Sequence, residues 1–439
     1  MVARSAEAKA LGIPMGVPWH ELKDLAKQHG IVALSSNYAL YADLSNRVVE
    51  ILRELAPAIE VYSIDESFID LHGVPGDLAV LGGRMRQQIL QWLGLPVCVG
   101  IGATKTLAKL ANHVAKKALV NASGVCDLSE CPPEDISALC QRISVGEVWG
   151  VGRRIAAKLE ALGITTVEDL RQADARMLGR RFSVVLERTV RELQGQSCLA
   201  LEEVCPPKQQ IMASRSFGQA LQRQEDLAQA VASHLTRAAE KLRAQNSLAG
   251  GMMVFVQTNP FKPETPQYSR SMTLPLPQAT DDTCALVELG LAMLRVLYRP
   301  GFDYKKAGVM LLDLQPKAQR QESLLENSAT RPRSAALMAT LDAVNARWGR
   351  GTLRPLATGA SATAGAWRMK RARLSPRYTT CWEELAVVGG AGGLLRGNSG
   401  FLAELGLGCT ALPRWRGSGN NSPTNTCHPV SLFGDQSDG

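Results

Sequence analysis

Two adjacent carboxylates inside a short apolar stretch constrain this chain more than any other feature. The stretch is Tyr62–Leu71, YSIDESFIDL, in which Asp65 and Glu66 stand between two runs typical of β-strands. Neighbouring residues on a straight strand point to opposite faces, so both acids can serve one site only if the chain turns tightly there. We therefore predict a β-hairpin with both acids at its tip. The apolar residues expected to pack around them are Val61, Ile64, Phe68, Ile69 and Leu71.

Such a hairpin has a chemical use. Paired carboxylates on a rigid element suit a hard divalent cation such as Mg2+, which takes oxygen ligands and usually keeps substrate phosphate in its shell. The pair therefore points to phosphoryl transfer. On spacing alone, an ordinary hairpin with acids at its tip explains the pattern at least as well, so the surrounding motifs must decide.

Length and composition limit the class of protein to which this chain can belong. The 439 residues are enough for about three domains, and the net charge of +8 with a pI near 9.0 permits nucleic-acid binding. None of the ten cysteines form a CxxC motif, and the closest pair, Cys126 and Cys131, has no histidine nearby, so neither a zinc site nor a disulfide framework is indicated. No apolar run approaches a membrane span and no signal-peptide core is present, which predicts a cytoplasmic protein without a membrane partner.

The elements around the hairpin follow a recognisable order. Helices are predicted over 5–11, 43–56 and 77–93, the last followed by a buried strand at 96–101. The order around the hairpin is α, β, β, α, β, one strand short of a ferredoxin-like βαββαβ unit. We expect the opening strand to be absent and its loss to leave a bare sheet edge.

A basic helix follows the buried strand. In Gly102–Lys117, GATKTLAKLANHVAKK, Thr104 is a good helix cap, and Lys105 and Lys109 share one face near the helix start. A helix N-terminus with lysines favours phosphate. A solvated lysine face remains the alternative.

A Gly-rich turn between helices forms the next motif, in residues 148–170. The turn and its basic helix resemble a helix-hairpin-helix, which contacts DNA phosphates without reading bases. Plain helical hairpins also occur as packing units. The predicted DNA-contacting residues are Gly150, Gly152, Arg153, Arg154 and Lys158.

Residues 206–315 repeat the βαββαβ order, this time complete. Basic residues of this unit either face DNA or form a scattered basic surface: Arg215, Arg223, Arg237, Lys241 and Arg243. Farther along we predict a helix over 335–348, a basic patch at 367–377 and a flexible Gly-rich tail over 389–439.

Four of these segments together closely resemble the UmuC-type catalytic subunits of bacterial SOS translesion polymerases, in the Y family of DNA polymerases. They are YSIDESF, GATKTLAKLANHVAKK, VWGVGRRIAAKLEALGI and VVLERTVRELQG, and the similarity runs from about residue 2 to about residue 388. The resemblance implies an α+β right-hand polymerase. Its expected domains are fingers (1–35), palm (36–122), helical thumb (123–205), little finger (206–318), a C-terminal region (319–388) and the tail (389–439).

The resemblance also assigns site residues. Asp65 and Glu66 become catalytic carboxylates that hold two Mg2+ ions, and the expected contacts to the incoming nucleotide are Lys9, Lys105 and Lys109. Residues 321–325, QESLL, resemble a sliding-clamp peptide through Gln321, Leu324 and Leu325. Other implied partners are primer-template DNA, deoxynucleoside triphosphates, a UmuD′-like dimer and a recombinase filament.

Relatives begin with a strand that carries a third metal-binding Asp and aromatic residues that exclude ribonucleotides, and this sequence starts after it. We therefore expect error-prone translesion synthesis in SOS repair with weakened catalysis, unless another acid such as Asp70 completes the site. A non-catalytic protein that binds damaged DNA, the clamp or partners is the alternative. A hairpin-containing nuclease is a further one, but it leaves the second βαββαβ unit unexplained.

Overall fold

The computed structural model describes residues 1–204, 206–319, 330–359, 367, 369, 371–385 and 429–434; for 330–331 and 429–434 it describes the backbone alone. These residues have an α+β architecture, as predicted. The chain divides into two compact units. The first contains Met1–Cys205 and Arg373–Gly439, and the second contains Pro206–Ala372.

Helices and strands are mixed along the described chain, and residues 133–193 contain helices without a strand. The helices are α1 (Ala6–Ala10), α2 (Lys23–His29), α3 (Tyr38–Leu55), α4 (Leu78–Leu93), α5 (Lys105–Lys116), α6 (Pro133–Gln141), α7 (Arg153–Glu160), α8 (Val167–Gln172), α9 (Ala175–Arg181), α10 (Val184–Leu193), α11 (Gln224–Ala244), α12 (Thr283–Leu297) and α13 (Thr330–Trp348). The strands are β1 (Ala58–Val61), β2 (Glu66–Asp70), β3 (Val97–Ile101), β4 (Val125–Asp127), β5 (Ile211–Leu221), β6 (Ser247–Thr258), β7 (Ser269–Thr280), β8 (Tyr304–Pro316) and β9 (Pro429–Gly434).

The predicted acidic hairpin is present. Strands β1 and β2 pair antiparallel with Val61 opposite Ser67, and the backbone N–H groups of Tyr62 and Ser63 both donate to the carbonyl of Glu66. Phe68, Ile69 and Leu71 are buried, as expected. The prediction that Val61 and Ile64 pack in the sheet is wrong, because both are about half exposed next to the turn (48% and 47%).

The expected bare sheet edge is also wrong. The sheet of the first unit has the order β1-β2-β9-β3-β4, so the position that the strand count lacked lies inside the sheet, where β9 pairs antiparallel with β2 and with β3. Of the predicted tail, 389–428 and 435–439 lie outside the described residues, and 429–434 form this strand. Sequence reading missed β9 because six residues in a Gly-, Ser- and Pro-rich context give only a weak strand pattern.

Helix α5 packs closely on β3, and one glycine permits it. A Cβ atom at Gly100 would lie 2.1 Å from the backbone N of Asn112 and 2.4 Å from the carbonyl oxygen of Ala108, both in α5. Since a contact this short with backbone cannot be relieved by a rotamer change, only glycine fits here. The helix begins as predicted, with the Thr104 side chain accepting a hydrogen bond from Leu107 N (3.2 Å).

Helices α6–α10 of the first unit pack around an apolar core to which α5 and β4 also contribute. The Gly-rich turn precedes α7, and α8 begins at a capping box in which the side chains of Thr166 and Asp169 accept from each other's backbone N–H. Gly150 and Gly163 adopt φ of +86° and +81°, which side-chain-bearing residues rarely adopt. The predicted turn between helices is therefore confirmed.

The second unit contains the predicted βαββαβ order. Its sheet runs β5-β8-β6-β7 with every pair antiparallel, and α11 and α12 cover one face. Helix α13 is fastened to this unit by Arg243, whose guanidinium donates two hydrogen bonds to Asp342 at 2.6 and 2.8 Å. Arg243 is therefore a buried internal cation, and its predicted place on a DNA-facing surface is wrong.

Two of the cysteines are buried thiols. Burial raises the pKa of the Cys126 thiol to about 12 and of the Cys140 thiol to about 11, so both stay protonated and unreactive at neutral pH.

Among the described helices, none combines the length and apolar character needed to cross a bilayer.

Candidate active site

The acidic pair lies where the hairpin turns into its second strand. Asp65 is the last residue before β2, and Glu66 is the first residue of β2. The Ser63 hydroxyl donates to Asp65 Oδ1 at 2.7 Å, and the backbone N–H of Asp65 donates back to Ser63 Oγ at 3.3 Å. This small ring fixes the carboxylate of Asp65 at the turn through one of its two oxygens.

Lys109 reaches this pair from α5. Its Nζ lies 2.8 Å from Glu66 Oε2, and both side chains are largely buried (9% and 13% exposed). The spacing of α5 therefore brings one of the two predicted lysines into direct contact with the acids. The contact supports the interpretation of α5 as more than a solvated lysine face.

Three aromatic rings surround the ammonium of Lys109. Its Nζ lies 5.1 Å from the ring centroid of Tyr62, 5.3 Å from that of Trp149 and 6.0 Å from that of Phe68. The Tyr62 and Trp149 rings meet edge to face at 5.5 Å. Because Trp149 directly precedes the Gly-rich turn, the aromatic cluster joins the acidic hairpin to that turn.

Burial disfavours the charges of the ion pair between Glu66 and Lys109. Burial raises the pKa of Glu66, an effect that the Lys109 ammonium only partly offsets, and burial likewise lowers the pKa of Lys109 against the attraction of Glu66. In both cases desolvation outweighs the attraction between the partners. Shifted pKa values of this kind are common at functional sites and also occur in structural ion pairs.

Lys105 has a different environment from Lys109. Its buried ammonium pairs with Glu60 of β1 and donates to the carbonyl of Ala200 at 2.7 Å. Glu60 also accepts from the backbone N–H of Glu202 at 2.7 Å. These contacts tie β1 and α5 to the segment after α10, a structural role that sequence reasoning did not predict for Lys105.

A second buried carboxylate connects α5 with α10. Glu192 is fully buried, and its Oε2 accepts from the N–H and hydroxyl of Thr106 at 2.9 and 3.0 Å. Its Oε1 accepts from the backbone N–H groups of Cys198 and Leu199 at 2.9 and 3.1 Å. The two contacts to Thr106 hold the first turn of α5 in place, and the two others hold the segment after α10 against the same carboxylate.

Asp65 and Glu66 provide the type of ligand that binds a hard divalent cation, but few such ligands. Asp65 and Glu66 offer carboxylate oxygens, the ligands that Mg2+ prefers. Within the described residues, no group of three or more His, Cys, Asp or Glu side chains is arranged to hold a metal. Asp70 lies at the other end of β2, about 13 Å along the strand from Glu66, and its Oδ1 accepts from His72 N.

The remaining predicted site residues occupy separate places. Lys9 is half-buried on α1, and Gly150, Gly152, Arg153, Arg154 and Lys158 are all exposed at the turn and on α7. Gln321, Leu324 and Leu325 lie outside the described residues, between the end of β8 and α13.

Sequence reasoning missed most of the supporting residues. Glu60, Trp149 and Glu192 each hold the acidic hairpin or α5 through contacts between residues more than 35 positions apart. Single acidic or aromatic residues of this kind carry no local pattern, so the sequence offers little signal for them. Trp149 is an exception, since it stands immediately before the Gly-rich turn.

The stability of variants at Glu66 and Lys109 tests the effect of burying this ion pair. Burial disfavours the charge of both groups, so the double variant Glu66→Gln/Lys109→Met should raise the free energy of unfolding by about 1–2 kcal/mol. Lys109→Met alone should lower it by about 2 kcal/mol, because Glu66 is then buried without its cation. Urea unfolding followed by tryptophan fluorescence measures both.

The pH dependence provides the control. The folded-state pKa of Glu66 is raised, so its contribution to stability is present at low pH and lost as the pH rises through that pKa. The cost of Lys109→Met should therefore shrink as the pH is lowered toward 5. A cost that is the same at pH 5 and pH 7 would contradict the assignment.

Comparison with protein families gives two matches to related models and a third to a domain without assigned function. Residues 1–113 match the impB/mucB/samB family and residues 208–324 match its C-terminal domain. Residues 335–388 match a domain of unknown function.

Comparison with curated proteins finds relatives along most of the chain. It is 46% identical to Protein UmuC of Salmonella typhimurium over 88% of this chain and 90% of the relative, and 44% identical to Protein ImpB of the same organism with the same coverage. It is 32% identical to DNA polymerase IV of Moorella thermoacetica over 42% of this chain and 45% of that protein.

Among solved structures, the fold is similar to that of a Y-family DNA polymerase chimera built from Dbh and Dpo4. The TM-score is 0.53 at 19% identity, over 71% of this chain and 86% of the chimera. At that identity the likeness concerns the fold.

Proposed function

Because this chain belongs to the impB/mucB/samB family, a branch of the Y-family DNA polymerases, we propose that it performs error-prone translesion DNA synthesis in the SOS response. The observation that carries the proposal is the meeting of Asp65, Glu66 and Lys109 at one end of the first unit's sheet. Primer extension by the purified chain on a damaged template tests it.

We assign the chemical roles as follows. Asp65 and Glu66 would hold two Mg2+ ions, which when bound promote attack of the primer 3′ oxygen on the α-phosphate and departure of pyrophosphate. Lys109 would exchange Glu66 for a triphosphate oxygen, freeing that carboxylate for the metal. Lys9 is proposed as a second contact to the triphosphate. Lys105 is assigned to positioning, because Glu60 and Ala200 already engage its ammonium.

Catalysis should be weak at ordinary Mg2+ concentrations. Two carboxylates supply less negative charge than a pair of divalent ions requires, and the described residues offer no third acid beside them. The same observation favours the alternative, a non-catalytic UmuC-like protein that binds damaged DNA and its partners. Titration of Mg2+ in the extension assay separates the two, since only a weak polymerase gains activity at high Mg2+.

The Gly150–Gly152 turn is proposed as a contact to the DNA backbone. The turn and the first residues of α7 are exposed, and Arg153, Arg154 and Lys158 add three positive charges. Binding should be independent of sequence and should weaken steeply with salt. The double variant Arg153→Ala/Arg154→Ala should flatten the slope of log affinity against log salt by about 1–2, measured by fluorescence anisotropy.

A matched control is available in the same unit. Arg47 and Arg53 lie on α3 in exposed ion pairs with Asp43 and Glu50, so replacing both with Ala removes the same charge far along the chain from the turn. An unchanged slope in the α7 variant, or an equal change in the α3 variant, would remove the turn from the interface.

Residues 321–325 are proposed to dock on the sliding clamp as an extended peptide, with Leu324 and Leu325 in an apolar pocket. The support is the QESLL pattern and its place between β8 and α13. Leu324→Ala/Leu325→Ala should abolish capture on immobilised clamp, and Ser323→Ala should not. Retained capture by the double variant would refute the proposal.

By the same family resemblance, a UmuD′-like dimer and a recombinase filament are proposed as activating partners. Adding both to the extension assay should raise lesion bypass by this chain. No stimulation by either would contradict that part of the proposal.

A further inference from the structure

The sheet of the first unit has an internal position that the chain fills from its own C-terminus. Strand β1 pairs with β2 and β4 pairs with β3, but among the described strands β2 and β3 do not pair with each other. Strand β9 lies between them. Neighbouring strands are about 4.8 Å apart, so the space between β2 and β3 is about 10 Å and accepts a single strand.

The pairing of β9 is complete on both sides. Residues 429–433 lie opposite Asp70–Glu66 of β2, and residues 430–434 lie opposite Ile101–Val97 of β3, with no shift in register. Phe68, Ile69, Val99 and Ile101 on the flanking strands are at most 1% exposed. Without β9, the facing N–H and C=O groups of both strands would lack ladder partners at the centre of a sheet, which is unfavourable for each buried group.

The sequence of β9, PVSLFG, suits this position. Pro429 is its first residue, where the missing N–H of proline is tolerated. The register places Val430 opposite Ile69 and Ile101, and Leu432 opposite Val99. The apolar residues at these positions of the flanking strands, Ile69, Val99 and Ile101, belong to the core of the first unit.

The segment between Leu385 and β9 is long enough for β9 to reach its place between β2 and β3. Residues 386–428 separate β9 from the last described residue before it, Leu385. At about 3.3 Å per extended residue, such a segment spans more than a small domain. The strand therefore needs no rearrangement of the rest of the unit.

We propose that Pro429–Gly434 is an internal donor strand that closes the sheet bearing the acidic hairpin between β2 and β3. The consequence extends to the acids. Strand β9 pairs with the whole of β2, including Glu66, the first residue of β2. Helix α5, which carries Lys109, packs against both β3 and β9. Removing β9 therefore loosens both elements that form the acid–lysine pair.

Hydrogen exchange measured by mass spectrometry tests this proposal without any assay of activity. We compare the full chain with a chain ending at His428. Amides in 66–70 and 97–101 should exchange at least tenfold faster in the shorter chain, and a synthetic peptide of residues 427–436 should restore their protection. Amides in β6 and β8 of the second unit are the internal control and should not change.

Point variants of the full chain keep the test decisive if the shorter chain folds poorly. Leu432→Pro removes a ladder donor from the middle of β9 and should reproduce the loss of protection, whereas Leu432→Ile should not. Unchanged protection of 66–70 and 97–101 in both the shortened chain and Leu432→Pro would overturn the proposal. Equal loss in Leu432→Ile would do the same.

Discussion

Replacing Glu66 with Gln should lower the rate of templated nucleotide incorporation at least about a hundredfold, even at high Mg2+. The amide keeps the size of the side chain but removes a negative charge from a site to which the described part of the chain contributes two carboxylates. Asp65→Asn should have an effect of similar size. Binding of primer-template DNA should change little in both variants, because the exposed basic residues that we propose for that contact are untouched.

Asp70 provides the matched control for this prediction. It lies on the same strand as Glu66 but at its opposite end, and its carboxylate caps the backbone N–H of His72. Asp70→Asn should extend primers at nearly the parent rate. If Asp70→Asn lost as much activity as Glu66→Gln, the site would include Asp70, and the assignment of two carboxylates would be wrong.

Glu192→Ala should be the most destabilising substitution among those considered, lowering the free energy of unfolding of the first unit by on the order of 3 kcal/mol or more. The change leaves three backbone N–H groups and one hydroxyl without their acceptor: those of Thr106, which is buried, and those of Cys198 and Leu199, which are partly buried. Because Thr106 lies in the first turn of α5, the variant should also misplace Lys109.

Glu192→Gln separates the loss of acceptors from the loss of volume. An amide keeps one accepting oxygen but presents an NH2 group to donors on its other side, so the cost should be roughly half that of Ala. Urea unfolding followed by tryptophan fluorescence measures the three proteins. Equal stability of Glu192→Ala and the parent would show that the network carries no net energy.

Much of the fold was predictable because it follows local periodicity. The hairpin, α4, β3, α5 and the second βαββαβ unit each combine an apolar repeat with a cap or turn residue, such as Thr104 before α5. The part of the site that shares this property, Asp65 and Glu66 at a turn, was predicted with it. Lys109 followed from its helical spacing to Lys105.

The sequence predictions that were wrong concern residues whose positions depend on tertiary contacts. The sequence assigned Lys105 and Lys109 the same role, yet the acceptors at hand, Glu60 for one and Glu66 for the other, separate them. Arg243 was expected on a basic surface, either facing DNA or not, and instead is buried and holds Asp342. The place of β9 depends on the space between β2 and β3, which no pattern in residues 429–434 can reveal.

Extension of a labelled primer past an abasic site by the purified chain is the most direct test of the central claim. We predict products longer than the lesion position that require Mg2+, increase with its concentration, and disappear in Asp65→Ala. Binding of primer-template DNA without incorporation at any Mg2+ concentration would contradict the claim and identify the chain as a DNA-binding protein without polymerase activity.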